Sequence, residues 1–264
     1  MENNNNPETL FPKKSKRNLF GYVNHRNHWI VPDQFDEAND FIDGYAVVGK
    51  IKKPDMKLKY GLINHCGRII LAPKYDFVFP KYCEDLLLVQ NEGKNGFLRG
   101  INVVVPLIYD NTKLFEFGNC PVCIGGRWGL ISNKNKIIIP ILYDNIGHLS
   151  CGLVPVCEKG LWSYVDKDNK KKIGFSFDEA ENFYEGFAVI KLNGMYGYID
   201  VSGKVVVKPR FADAYRFYKG RAIVKEEKEG RDYWFIDPTG NKIEKVLHFE
   251  NIESYLESNE SIDK

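Results

Sequence analysis

The stretch WGLISNKNKIIIPILYD, residues 128–144, contains most of the signals that decide the fold. An aromatic residue and a glycine open it, and two apolar residues lead into the turn-forming run SNKN. Three isoleucines follow and stop at Pro140, because proline has no N–H to donate to a sheet. Isoleucine favours strands, while glycine and proline oppose helix. The stretch therefore predicts a strand, a tight turn and a second strand.

The same order of residue types recurs along the whole chain. The tetrapeptide FDEA occurs at residues 35–38 and again at residues 177–180. The aromatic residue that opens it recurs at steps of 40, 34, 34, 34, 34 and 38 residues. A third apolar run follows each aromatic after a short link. The sequence predicts an all-β chain of about seven repeats of roughly 34 residues, each a three-stranded antiparallel unit. The recurring aromatics are Phe35, Tyr75, Tyr109, Tyr143, Phe177, Phe211 and Phe249.

The turn inside each repeat has a restricted fourth position. All seven copies hold glycine or asparagine there, the residues that most easily adopt a positive φ. Asp or Asn is common at the first position, so the pattern indicates a type I turn that closes into a bulged hairpin. The predicted structural turn positions are Asn27, Gly67, Asn102, Asn135, Asn169, Gly203 and Gly240.

The repeat array is predicted to occupy residues 19–256. Residues 1–18, rich in Asn and then basic, are predicted to be disordered, and residues 257–264 to form an acidic tail. One short β unit cannot bury both its faces, so each unit must stack on its neighbours. An open, superhelical array is favoured because a propeller blade usually has four strands, and a closed seven-bladed ring is the alternative. The units are placed near residues 20–48, 60–90, 95–123, 128–157, 162–190, 196–224 and 233–256.

These repeats resemble the WG β-repeat family. The segments WGLISNKNKIIIPILYD (128–144) and YGYIDVSGKVVVKPRF (196–211) carry the resemblance best, and it extends over roughly residues 20–256. The resemblance implies a bacterial-type repeat protein that serves as a binding or scaffolding element. Four positions depart from the family pattern, namely Asn95, Ser163, Gly174 and Trp234.

No arrangement of residues points to catalysis, a cofactor or a metal. The acid that follows the recurring aromatic in six copies is interpreted as a cap for backbone N–H groups, since six copies of one environment do not distinguish a catalytic carboxyl. No nucleotide-binding, nucleophile-elbow or zinc-protease motif occurs. The chain is therefore predicted not to be an enzyme. Four cysteines raise the question of a metal or redox site and are interpreted as buried apolar residues: Cys120, Cys123, Cys151 and Cys157.

Composition favours a cytoplasmic protein. The N-terminal residues contain no apolar signal region, and no apolar run is long enough to span a bilayer. A net charge of +2 does not indicate a nucleic acid or a membrane as the partner. The main hypothesis is a non-enzymatic scaffold that binds a protein partner. Two alternatives remain: a glycan- or cell-wall-binding module that uses the repeated Trp and Tyr rings, and a nucleic-acid-associated accessory protein.

One link is the strongest candidate for partner binding. The link GKIKKPDMKLK, residues 49–59, is the longest departure from the 34-residue step, and insertions in repeat proteins often lie on the binding face. A second basic run occupies residues 13–17. The sequence predicts that lysines of the link dock an acidic partner. The candidates are Lys50, Lys52, Lys53, Lys57 and Lys59.

Overall fold

The computed structural model of the chain describes residues 9–230 and 232–246. The predicted tail at 257–264 and the end of the last unit lie outside these residues. Within them the chain forms strands and no helix, so none of its described elements is a helix that could cross a bilayer. This confirms the prediction of an all-β repeat protein.

Across residues 9–230 and 232–246 the strands form seven sheets in which the strand order follows the chain order. The first three sheets consist of β1 (Phe11–Lys14), β2 (Phe20–Val23) and β3 (Trp29–Phe35); β4 (Glu37–Ala38), β5 (Tyr45–Lys52), β6 (Lys57–Asn64) and β7 (Ile69–Tyr75); and β8 (Phe77–Cys83), β9 (Leu86–Asn91), β10 (Lys94–Arg99) and β11 (Asn102–Tyr109). The fourth and fifth sheets consist of β12 (Asn111–Thr112), β13 (Asn119–Ile124), β14 (Arg127–Ser132) and β15 (Ile137–Tyr143); and β16 (Asn145–Ile146), β17 (Leu153–Glu158), β18 (Leu161–Asp166) and β19 (Lys171–Phe177). The last two sheets consist of β20 (Glu179–Ala180), β21 (Phe187–Leu192), β22 (Met195–Asp200) and β23 (Val205–Phe211); and β24 (Asp213–Ala214), β25 (Ala222–Lys225), β26 (Tyr233–Ile236) and β27 (Lys242–Lys245).

Six sheets have four strands rather than the three expected from the sequence. In five of them the additional strand has two residues and begins two positions after the recurring aromatic, as β4 does after Phe35. Two residues are too few to show the alternation that identifies a strand in sequence. Each sheet has two edge strands, so none of these sheets closes into a barrel.

The sheets are offset from the sequence repeats. The third strand of one repeat joins the first two strands of the next, as β21 pairs with β22 in the sixth sheet. In the third to sixth sheets, two-residue turns with both φ angles positive make this connection, and such turns are the ones that fit a hairpin best. Examples are Glu92–Gly93, Lys159–Gly160 and Asn193–Gly194.

The chain divides into two compact units. One contains Met1–Gly125 and Ser132–Lys136, and the other contains Gly126–Ile131 and Ile137–Lys264. In each unit the apolar core lies between the faces of adjacent sheets. Between the sixth and seventh sheets, for example, Tyr198 and Phe211 pack against Phe217 and Val224. Stacking of neighbouring repeats is therefore what buries the apolar residues.

The predicted disorder of residues 1–18 is wrong for the part that the structure describes. Phe11–Lys14 form β1, which pairs antiparallel with β2, and Leu10 is buried in the core of the first two sheets. Leu10 and Phe11 supply apolar surface that the basic residues after them obscure in the sequence. The strand also completes a sheet that would otherwise have two strands.

The turn prediction holds at six positions and fails at Asn102. The φ angles at the six range from 57° to 86°. In the remaining copy Gly100 has the positive φ, while Asn102 begins β11 and pairs with Arg99. Nine positions separate Gly96 from Val105, against ten in other repeats, so this loop is one residue shorter. The shorter loop closes as a two-residue hairpin with glycine first. The six positions are Asn27, Gly67, Asn135, Asn169, Gly203 and Gly240.

Candidate interaction surface

The predicted link at 49–59 is a β-hairpin and not a loop. Strands β5 and β6 remain paired to Lys52 and Lys57, and the turn lies between these two residues. In the sixth sheet the equivalent hairpin turns at Asn193–Gly194, so the hairpin of the second sheet is six residues longer. We name residues 50–59 the basic arm. The extra residues extend the hairpin beyond the length that the repeat requires.

The register of the basic arm places four lysines on one face. Lys50 lies opposite Lys59, and Lys52 lies opposite Lys57. Because alternate residues of a strand share a face, both pairs point to the same side of the hairpin. Ile51 pairs with Leu58 on the other side. Like charges directly across a ladder are destabilising, so this arrangement is unfavourable for folding by itself.

The five predicted lysines differ in how far they are engaged within the chain. The Lys59 amine contacts Asp76 at 2.5 Å and Asn91 at 3.0 Å, and this contact holds the pKa of the Asp76 carboxyl below its usual value. The Lys50 amine donates to a backbone carbonyl at 2.9 Å. The structure therefore anchors the two lysines at the base of the basic arm.

The lysines near the tip of the basic arm are exposed. Lys57 lies 3.8 Å from Asp55, a long contact between two solvated groups. The side chains of Lys52 and Lys53 are exposed and make no hydrogen bond or ion pair with the described residues. Met56 at the turn is 62% exposed. Three cationic side chains and one apolar side chain are thus available to a partner.

The second basic run is engaged in holding β1. Arg17 forms an ion pair with Asp33, with one contact at 2.9 Å, and lowers the pKa of that carboxyl to about 2. The Lys13 amine contacts the side chain of Asn27, and the Lys14 amine lies 5.4 Å from the centre of the Phe20 ring. These contacts give the run a structural role that the sequence did not reveal.

The repeated aromatic rings are mainly packing residues. Trp128, Trp162 and Tyr196 are half-buried and pack against the cores between adjacent sheets. Trp29 is 42% exposed and lines an open depression that also includes Arg17 and Asp33. The ring column that motivated the glycan alternative is thus accounted for by packing at the three positions named first.

The cysteine positions provide no metal site in the described part of the chain. Cys120, Cys123 and Cys157 are buried as predicted, but the prediction is wrong for Cys151, which is exposed at a turn. The Cys120 thiol donates to the Lys113 carbonyl at 3.2 Å, and burial raises the pKa of this thiol. Among residues 9–230 and 232–246, no group of three or more His, Cys, Asp or Glu side chains could hold a metal ion.

The acid after the recurring aromatic caps the backbone, as predicted. In five repeats one carboxylate oxygen accepts a backbone N–H at or near the end of the third strand, at 2.6 to 3.1 Å. In three of them the other oxygen contacts a cation at or near the start of the first strand of the same repeat, namely Lys59, Lys94 or Arg127. The five acids are Asp36, Asp76, Asp110, Asp144 and Asp178.

Comparison with known families identifies these repeats. A model of the WG containing repeat family matches residues 20–50, 60–94, 128–162, 162–196 and 196–229. These segments cover more than half of the chain. The chain belongs to the WG-repeat family.

The WG repeats are distantly similar in fold to several solved structures. Hsv2p from Kluyveromyces lactis is 12% identical with a TM-score of 0.44, over 81% of this chain and 79% of that one. A eukaryotic initiation factor is 9% identical with a TM-score of 0.41, over 90% of this chain and 62% of that one. The AfRom2 CNH domain is 10% identical with a TM-score of 0.37, over 81% and 84%. No curated protein matches the chain.

The glycine of the WG repeat is required by close backbone contact. A Cβ atom at Gly61 would lie 2.3 Å from the Leu71 carbonyl oxygen, and one at Gly197 would lie 2.6 Å from the Val207 carbonyl oxygen. Each lies where the ladder to the next strand is irregular, so that strand bulges toward the glycine. Ser163 takes this place in the fifth sheet, and its buried hydroxyl has no partner among the described residues.

The glutamates of the two FDEA copies accept hydrogen bonds from the tyrosines that precede the glycine of the WG repeat. Glu37 accepts the hydroxyl of Tyr60 at 2.8 Å, and Glu179 accepts that of Tyr196 at 3.0 Å. In the fourth and fifth sheets the aromatic residue is Trp128 or Trp162, and asparagine replaces the glutamate. The duplicated motif is therefore a matched polar contact, and comparing the two columns in the sequence would have revealed it.

A second pair of repeat positions varies together in the same way, namely the recurring aromatic and the fourth turn residue of the next repeat. The Tyr109 and Tyr143 hydroxyls donate to the side chains of Asn135 and Asn169, the turn residues of the following repeats, at 3.2 and 2.7 Å. Where phenylalanine replaces the tyrosine, glycine replaces the asparagine. This holds for Phe35 with Gly67, Phe177 with Gly203 and Phe211 with Gly240. The sequence contained this correlation, but reading each column alone missed it.

Proposed function

We propose that the chain is a non-enzymatic interaction scaffold, and that the basic arm docks an acidic partner protein. The observation that carries the proposal is the pairing of Lys52 with Lys57 next to Lys50 with Lys59 on one face. The repeats supply a rigid support for this face, because β5 and β6 continue directly from the packed second sheet.

The unfavourable charge repulsion within the basic arm supports a role in binding. Six additional residues form a ladder with like charges opposite each other, which does not stabilise the sheet. An acidic partner would relieve this repulsion and would convert exposed amines into charge-assisted hydrogen bonds. Such charge complementarity acts mainly on association rate and specificity. Lys52, Lys53 and Lys57 are assigned the direct contacts because they are exposed.

A pull-down from a lysate of the source cells, treated with nuclease and read by mass spectrometry, provides the first test. The test variant carries Lys52→Glu, Lys53→Glu and Lys57→Glu. We expect it to lose the acidic partners that the wild-type chain captures, with a melting temperature nearly unchanged. A salt series should weaken capture by the wild type more steeply than residual capture by the variant.

Two further variants serve as controls. Lys134→Glu, Lys136→Glu and Lys208→Glu change the net charge equally at exposed positions outside the basic arm. Replacing residues 51–58 by an Asn-Gly dipeptide gives the arm the short turn of the other hairpins. Equal loss of capture in the control triple variant would assign the effect to net charge. Full capture by the shortened chain would refute the role of the arm, and capture that nuclease abolishes would favour a nucleic acid.

A further inference from the structure

The long strand at one edge of each sheet is protected in most repeats. Strands β3, β7, β11, β15 and β23 each end a sheet, and each contains a proline near its middle. Proline removes an N–H from the edge and thereby disfavours the addition of another strand. The five prolines are Pro32, Pro73, Pro106, Pro140 and Pro209.

Strands β19 and β27 lack this proline, and β19, with seven residues against four in β27, is the longer of the two. It ends the fifth sheet, and its sequence KKIGFSF contains no proline. Gly174 lies three residues before Phe177, as Pro140 lies three residues before Tyr143. Three other copies have proline at this position and two have it one residue later, so the repeat folds without an amide hydrogen here. Gly174 therefore supplies a donor that the sheet itself does not require.

The surroundings of Gly174 are open. A Cβ atom added there would meet no atom within 4 Å, and the residue is exposed. Its carbonyl oxygen accepts the Ser176 hydroxyl at 3.4 Å, a long contact that a peptide N–H could replace. Gly174 thus has both an N–H donor and a carbonyl acceptor, at the point where the pairing of β18 with β19 is irregular.

The start of β19 is strongly basic. Lys170, Lys171 and Lys172 are consecutive and exposed. Lys172 reaches Asp166 at 3.2 Å, yet its side chain remains 52% exposed. Carboxylates on an added strand would lie beside these amines, which gives the edge a preference for an acidic segment.

We propose that the free edge of β19 accepts an extended acidic peptide segment, which adds a fifth strand to the fifth sheet. The segment binds antiparallel, as the described neighbours in this sheet pair, so its carboxylates lie toward its C-terminal end beside Lys171 and Lys172. The site lies within one compact unit and does not depend on the basic arm.

The test uses the full chain and a labelled peptide as long as β19, alternating threonine and valine and ending in two aspartates. Binding is measured by fluorescence anisotropy. We expect Gly174→Ala to bind as the wild type does, because alanine retains the N–H and its Cβ has space. Gly174→Pro should bind about tenfold more weakly or worse, because it loses the donor and places a ring on the edge.

Two peptide variants test strand addition on the wild-type chain, and they apply even if Gly174→Pro does not fold. A peptide N-methylated at alternate residues cannot form the ladder and should not bind the wild-type chain. A peptide ending in two lysines should bind about tenfold more weakly than the aspartate peptide. Equal binding of the N-methylated peptide, equal binding to folded Gly174→Pro, or no binding of the aspartate peptide at millimolar concentration would overturn the proposal. So would self-association of the chain through β19, detected as a mass that Gly174→Pro reduces to that of a monomer.

Discussion

Two turns in the second compact unit pack against the preceding repeat with different residues. The turns at 166–169 and 200–203 have the same length, and both have a positive φ at the fourth position. In the first, Asn169 accepts the Tyr143 hydroxyl at 2.7 Å. In the second, Gly203 lies against Ile173, and Phe177 takes the place of the tyrosine. The residue at the fourth turn position therefore depends on the preceding repeat as well as on backbone conformation.

The largest effect is expected when the glycine turn receives a branched side chain. Gly203→Val forces a β-branched residue to a φ of 85°, with its Cβ about 3.0 Å from Ile173. We expect a loss of about 1–3 kcal/mol in the free energy of unfolding, measured in urea. Lys204→Ala is the control and should change it by less than about 0.5 kcal/mol. Equal stability of Gly203→Val and wild type would refute the turn assignment.

The next effect comes from converting the glycine turn into the asparagine type. Phe177→Tyr alone should destabilise by about 1–3 kcal/mol, because a buried hydroxyl then faces Gly203 without an acceptor. Gly203→Asn alone should cost less, since asparagine tolerates a positive φ. The double variant should recover about 0.5–1.5 kcal/mol relative to the sum of the two changes. Strict additivity in this double-mutant cycle would show that the two columns are not coupled.

A smaller effect is expected when the tyrosine contact is removed. Tyr143→Phe should cost about 0.5–1.5 kcal/mol, the net value of one hydrogen bond. Tyr109→Phe should cost less, because its contact to Asn135 is 3.2 Å long against 2.7 Å at Tyr143. Urea unfolding of both variants gives the ranking. A larger loss at Tyr109 would indicate that ring packing, and not the hydroxyl, decides the cost.

The sequence was sufficient for features that each repeat carries within its own residues. Strand type, the turn and the capping acid follow from local chemistry, and Gly203 could be placed at a positive φ without a structure. The failures involve relations between segments. Asn102 fails because one missing residue changes how two strands pair, and β1 is obscured because its partner strand lies later in the chain. The basic arm looked like a loop because lysines do not favour strands, and the register with β6 overrides that preference.

The smallest expected effect is the pH dependence of the tyrosine contact. Burial raises the pKa of Tyr143 above its ordinary value near 10. A raised pKa in the folded state stabilises the protein fully below the unfolded pKa, and this contribution is lost as the pH rises through the folded pKa.

The stability advantage of the wild type over Tyr143→Phe should therefore be constant below the ordinary tyrosine pKa of about 10 and should shrink as the pH rises through the raised pKa of the folded state. Phenylalanine has no proton to lose, so the variant lacks this part of the alkaline dependence. Urea unfolding at several pH values measures the difference, and Val201→Ala, an exposed non-titrating change, should differ from wild type by a constant amount. An advantage that grows with pH would mean that the ionised hydroxyl is stabilised in the folded chain. That result would mean that the pKa of Tyr143 is lowered in the folded state, which would require a cation near its oxygen.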